Sequence, residues 1–184
     1  MAHSYTAPMS GLPILPSRKH EELLLVALRL DAQHDGPQFY TLVAVGGDNE
    51  RPLVADGHLL FFTRPELAAR ALALDRELAQ LGPAPQQAET FCDIAEALHL
   101  VNSQDDDPDG VILDSLLMLD DLVRATKLHM PDHYQGLLTE LAARLTERMK
   151  LQDIFRKHAL REEAEDALLW CVGAIAVRSR MISE

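Results

Sequence analysis

Residues 111–128 read VILDSLLMLDDLVRATKL. Wound at 3.6 residues per turn, this stretch carries apolar side chains around almost its whole circumference. Ile112, Leu116, Leu119 and Val123 form one stripe. Leu113 and Leu117 widen it on one side, Met118 and Leu122 on the other. Only a narrow strip through Asp114, Asp121 and Ala125 is left for water. A helix that is apolar nearly all round belongs in the middle of a folded domain. Asp114, Asp120 and Asp121 within it make a membrane span unfavourable. The expectation is a globular chain built around this helix.

Helical periodicity continues on both sides. Upstream, Phe91, Ile94, Ala95, Leu98 and Val101 give an amphipathic stripe. Downstream, Pro131 fits the first turn of a helix carrying Tyr134, Leu138, Leu141, Leu145 and Met149 toward Phe155. A last helix starts in Glu162, Glu163, Glu165 and Asp166 and ends in Arg178 and Arg180, a charge order that suits the helix macrodipole. Trp170, Val172, Ile175 and Val177 lie within it, and Gly173 would permit close helix contact. Residues 86–180 therefore read as a bundle of about four helices.

Gly82-Pro83-Ala84-Pro85 is the clearest break in the chain, and the pattern before it differs. Leu24, Val26, Leu28 and Leu30 alternate with Leu25, Ala27, Arg29 and Asp31, as a strand with one buried face requires, with a helix starting near Ser17 as the competing assignment. Phe39 to Val45 is rich in aromatic and β-branched residues and reads as a second strand. Asp56-Gly57 between apolar runs is a hairpin signal, because both central residues of that turn need positive φ. Thr63, Pro65 and Glu66 have the spacing of a capping box. They open a helix with Leu67, Ala71, Leu74, Leu78 and Leu81 on one face. Residues 19–82 are thus expected to form a small antiparallel β-meander of three or four strands with one covering helix. Residues 1–18, with Pro8, Pro13 and Pro16 and no periodicity, read as a flexible arm. The fold class is α+β, with the two parts sharing one core.

Composition narrows the range of functions. Of 184 residues, 17 are Lys or Arg and 29 are Asp or Glu, a formal net charge of −12. Such a surface repels polyanions, so neither nucleic acid nor an anionic membrane is an expected ligand. The longest apolar run, residues 167–177, is too short to cross a bilayer. The first residues lack a signal-peptide core. Cys92 and Cys171 lie far apart among apolar residues, as buried thiols in a reducing compartment do. A cytoplasmic location is expected.

Charge is unevenly distributed. Ten acids and no Lys or Arg lie between Glu89 and Asp121, whereas bases outnumber acids between Leu122 and Arg161. These blocks either neutralise each other within the chain or leave an acidic docking surface for a protein partner with a basic surface. The surface would comprise Asp93, Glu96, Asp105, Asp106, Asp107, Asp109, Asp120 and Asp121.

Asp105-x-Asp107-x-Asp109-Gly110-x-Ile112 resembles the first eight positions of an EF-hand or dockerin-type calcium loop. That resemblance implies Ca2+ on Asp105, Asp107 and Asp109. The sequence departs from the loop at its twelfth position, where Leu116 replaces the bidentate acid, and Pro108 is unusual at the fourth. The competing assignment makes Asp107 a helix cap with Pro108 in the first turn. No other cofactor is expected.

Catalytic patterns are sparse. Glu96 and His99 form one Glu-x-x-His pair, where a di-metal bundle needs two. His129 and His133 are separated by Pro131, and no G-x-S-x-G or glycine-rich phosphate loop occurs. The expected function is a non-enzymatic, cytoplasmic protein-binding adaptor, regulator or assembly factor using an acidic helical surface. The alternatives are a small-molecule or metal-dependent enzyme with Glu96, His99, Asp114 and Asp121 between sheet and helices, and a calcium-responsive regulator. Self-association through the last two helices is a further expectation.

Overall fold

The backbone pairing of the first half builds a sheet that the second half completes. The computed structural model describes residues 22–46, 49–74, 83, 85–103, 105–107 and 109–183. Strands β1 (Glu22–Arg29) and β2 (Phe39–Gly46) are antiparallel, with Glu22 opposite Val45 and Leu28 opposite Phe39. Gln38 clasps the intervening turn, its Oε1 accepting the amides of Leu30 and Asp31 at 2.7 and 2.8 Å. The short β3 (Asn49–Pro52) returns along residues 43–46 of β2. Strands β4 (Val54–Ala55) and β5 (His58–Phe62) then form the expected hairpin over Asp56 and Gly57, at φ +50° and +76°. Strand β5 meets β2 where Phe62 pairs with Tyr40.

Two strands from the helical half make the sheet mixed, which corrects the expected all-antiparallel meander. Strand β6 (Thr90–Asp93) runs parallel to β1, and β7 (Ser179–Ile182) runs parallel to β5. Phe91 was expected on a helix and lies in β6. Arg180 was expected to end the last helix and lies in β7. Four-residue strands are too short to show alternation, and their hydrogen-bond partners lie far away in the chain. The amide of Glu89 donates to the Leu25 carbonyl, and that of Leu59 to the Arg178 carbonyl.

Both faces of the sheet are covered, so β1 is buried on two sides instead of the one expected. Leu23, Leu25, Leu42, Ala44, Leu60 and Phe62 face helix α1 (Pro65–Leu74), which contributes Leu67, Ala68 and Leu72. Pro65 opens α1 as anticipated. Arg64, not Thr63, directly precedes it, and the Thr63 amide that a capping box would bind to Glu66 is held by the Ile182 carbonyl beyond β5. Leu78, Leu81 and the 1–18 arm lie outside the described residues. Val26, Leu28, Val43, Leu59 and Phe61 face the other way, into the helices.

That second layer holds α2 (Ile94–Ser103), α3 (Val111–Thr126), α4 (Asp132–Thr146), the single turn α5 (Leu151–Ile154) and α6 (His158–Val177). Helix α3 contacts α2, α4 and α6 as well as β3, β5 and β6. Ile112, Leu116, Met118, Leu119, Leu122 and Val123 are buried as its pattern requires. Leu117 is not: it is 56% exposed. The line of α3 open to solvent runs through Asp114, Leu117, Asp120 and Arg124, not through Asp114, Asp121 and Ala125. Among the described residues, no helix is long and apolar enough to cross a membrane.

Candidate functional site

The acidic window divides into groups with different surroundings. Asp93 ends β6 and caps α2, its Oδ1 accepting the Glu96 amide at 3.0 Å. The Arg29 guanidinium from β1 grips the same carboxylate twice, with Nε to Oδ1 at 2.8 Å and Nη2 to Oδ2 at 2.7 Å, and lies 3.6 Å from Glu96. Only 19% of the Arg29 side chain and 14% of the Asp93 side chain are exposed. The Asp93 hydrogen bond holds Arg29 above its ordinary pKa against the opposing effect of burial; the Asp93, Glu96 and Asp35 charges add to it. Asp93 is therefore neutralised within the chain, while Glu96 shares the same guanidinium at longer range and keeps a partly exposed charge. Asp120 and Asp121 share Arg124 one turn along α3. Burial is the main influence on Asp121, raising its pKa above the ordinary value. Arg124 opposes the rise, while Glu50 and Asp120 add to it.

The loop before α3 behaves differently. Asp107 turns inward, and its two oxygens accept the amides of Val111 and Ile112 at 2.8 and 3.0 Å. These are two of the orphan N–H groups of the first helical turn. Gly110 flanks the helix at φ +72°, a left-handed conformation suited to glycine. Helix α3 thus begins at Val111, and Pro108 lies outside the described residues. Asp105, Asp106 and Asp109 face solvent and form no ion pair with the described residues. Among the described residues, no group of three or more His, Cys, Asp or Glu is placed to hold a metal ion.

Beside this loop, α3 and α4 leave a seam between them. One depression, of about 320 Å3, lies between Leu117, Asp120 and Arg124 of α3 and Gln135, Leu138 and Ala142 of α4. A second, of about 720 Å3, lies between Asp109 and Leu113, in and after the loop that leads into α3, and Leu145 and Met149, at and beyond the end of α4. Positions 113, 117, 120 and 124 are one stripe of α3, and 135, 138, 142 and 145 are one stripe of α4, with Met149 in the loop beyond its end. The two depressions therefore continue each other as one trough between antiparallel helices. Its apolar residues include Leu117 and the 39% exposed Met149. Asp106 and Asp109 stand at one wall of its wider end, with Arg148 and Lys150 at the other. Neither a family model nor a curated protein nor a solved structure matches this chain. Its site has to be understood from its own residues.

The four residues named for an enzyme do not converge. His99 and Asp114 are exposed, Glu96 is held by Arg29, and Asp121 is with Arg124. A cavity does lie between sheet and helices, but none of these four lines it. Burial pushes the Cys92 thiol up to about 11, against a hydrogen bond to Ser115, and the Cys171 thiol up to about 12. Both thiols are free and buried, and neither is activated as a nucleophile. His133 packs its ring against Tyr134, and His129 lies 3.5 Å from Asp132. Sequence reasoning found the acids of the loop but missed the trough. Its signal was present in Leu113 and Leu117, apolar positions beyond what one buried stripe needs.

Proposed function

We propose that this chain is a non-enzymatic protein-binding adaptor, regulator or assembly factor whose α3–α4 trough receives an amphipathic helix of a partner protein. The observation that carries this reading is a trough with Leu117 and Met149 open to solvent along it, beside Asp105, Asp106 and Asp109, which form no ion pair with the described residues. An amphipathic helix lays its apolar side into such a seam and presents its charges to the walls. Helix α3 has 16 residues, about 24 Å at 1.5 Å per residue, so roughly four turns of partner helix would fit. The partner's basic flank would face Asp105, Asp106 and Asp109, and an acid on its other flank would meet Arg148 and Lys150. The net charge of −12 favours a basic protein over nucleic acid. Two free, buried thiols fit a reducing cytoplasm.

Affinity capture with three baits tests this reading: wild type, Leu117→Asp, and the triple variant Asp105→Asn/Asp106→Asn/Asp109→Asn. The expected result is a partner retained by wild type at low salt, released at raised salt, and lost from both variants. A capture profile identical for all three baits would overturn it.

A further inference from the structure

The 250 Å3 cavity on the helical side of the sheet is walled almost entirely by carbon. Phe61, Ile94, Leu122 and Ile175 form its buried depth, while Ala176 of α6 and Met181 of β7 stand exposed at its mouth. Ser179 is the only polar residue of the lining among the described residues, and its hydroxyl already donates to the Ile175 carbonyl. Water inside would find almost no partners. A site needs two to four polar groups to hold an ordered water, and an apolar cavity of about 150 Å3 stays dry and takes benzene.

We propose that this cavity binds a single unbranched alkyl chain of about eight carbons, the number that fills 250 Å3 if each carbon takes roughly the 30 Å3 that a water molecule occupies in the liquid. Among the described residues no charged side chain lines the space, so a charged or hydrogen-bonding group finds no partner among them at depth. The mouth opens between α6 and β7, so the polar end of such a molecule stays in water. This site is separate from the docking trough. Leu117 and Leu122, five residues apart on α3, point about 140° from each other. The cavity is therefore a small-molecule site on the far side of the same helix.

Titration with the straight-chain alcohols from 1-butanol to 1-decanol, followed by methyl NMR of the full chain, tests this. The Kd for 1-octanol is expected on the order of 0.1 mM. Affinity should rise about fourfold per added methylene and level off near eight carbons, with the largest shifts at the methyls of Ile94, Leu122 and Ile175. Ala176→Trp should fill the mouth and abolish binding. Met181→Trp, at a second exposed position, serves the same purpose if the first variant does not fold. Leu117→Asp should bind the alcohols as wild type does, whatever its effect on partner capture. Three outcomes would overturn the assignment. One is the absence of saturable binding. Another is an affinity that climbs without levelling and survives both tryptophan variants, which marks partition onto the surface. The last is a dimer that shields Met181, which marks a second copy as the occupant.

Discussion

Asp93 and Asp109 belong to the same base-free acidic window, yet the fold uses them in opposite ways. Asp93 is clamped by Arg29 and caps α2 from the end of a strand. Asp109 faces water at the rim of an open trough. Between these extremes, Asp107 forms no ion pair with the described residues and satisfies two helix amides. Charge density along a sequence therefore does not define a surface. What decides is whether a strand or helix delivers a guanidinium or an unpaired amide to the same point.

Mutating the two groups should separate them sharply. Asp93→Ala removes a cap and leaves a half-buried guanidinium with only the Glu96 carboxylate, the His34 carbonyl and the more distant Asp35 charge. With allowance for partial solvent screening, about 2–3 kcal/mol of stability should be lost in denaturant unfolding. Arg29→Met, which keeps the cap, should cost less than Asp93→Ala. Equal losses would mean that the cap contributes nothing. Asp107→Ala should come next, at about 1–2 kcal/mol, because two amides at a helix start lose their acceptor. The triple Asn replacement of Asp105, Asp106 and Asp109 should stay within about 0.5 kcal/mol of wild type in the same assay. A much larger loss there would break the distinction between structural and docking acids.

The smallest effect sharpens the comparison through pH. Burial raises the pKa of Asp121 above the ordinary 3.8, so the folded state binds its proton more readily than the unfolded state. Stability then falls as pH rises through the interval from 3.8 to the raised value, and that loss persists to neutrality. Asp121→Asn should therefore melt above wild type at pH 7, with the gap closing as pH falls toward 3.8. Thermal melts across that range check the sign. A lower melting temperature at pH 7 would show that the Arg124 pair outweighs burial.

Local signals carried much of the fold. The buried stripe of α3, the positive-φ hairpin at Asp56 and Gly57, and Pro65 at the start of α1 all follow from residues close together in sequence. The losses were non-local. Thr90–Asp93 and Ser179–Ile182 become strands only because β1 and β5 offer free edges from a distant part of the chain. Leu23 to Leu28 is a near-continuous apolar run, the mark of a strand covered on both faces, and its weak alternation pointed to one face only. The site was legible as chemistry and not as shape. The acids of the loop could be named, but a helix apolar all round does not announce which side its neighbours leave open.

The two parallel edges also constrain the order of assembly. Leu59 pairs with Ser179, so β5 acquires its outer neighbour only after all the intervening helices exist. During vectorial synthesis the row of amides on that side of β5 waits, unpaired, while the rest of the chain emerges. Such distant closure slows folding and leaves a strand open to mispairing in the meantime. The last strand acts as a latch, and its arrival marks the moment at which the nascent sheet stops being adhesive.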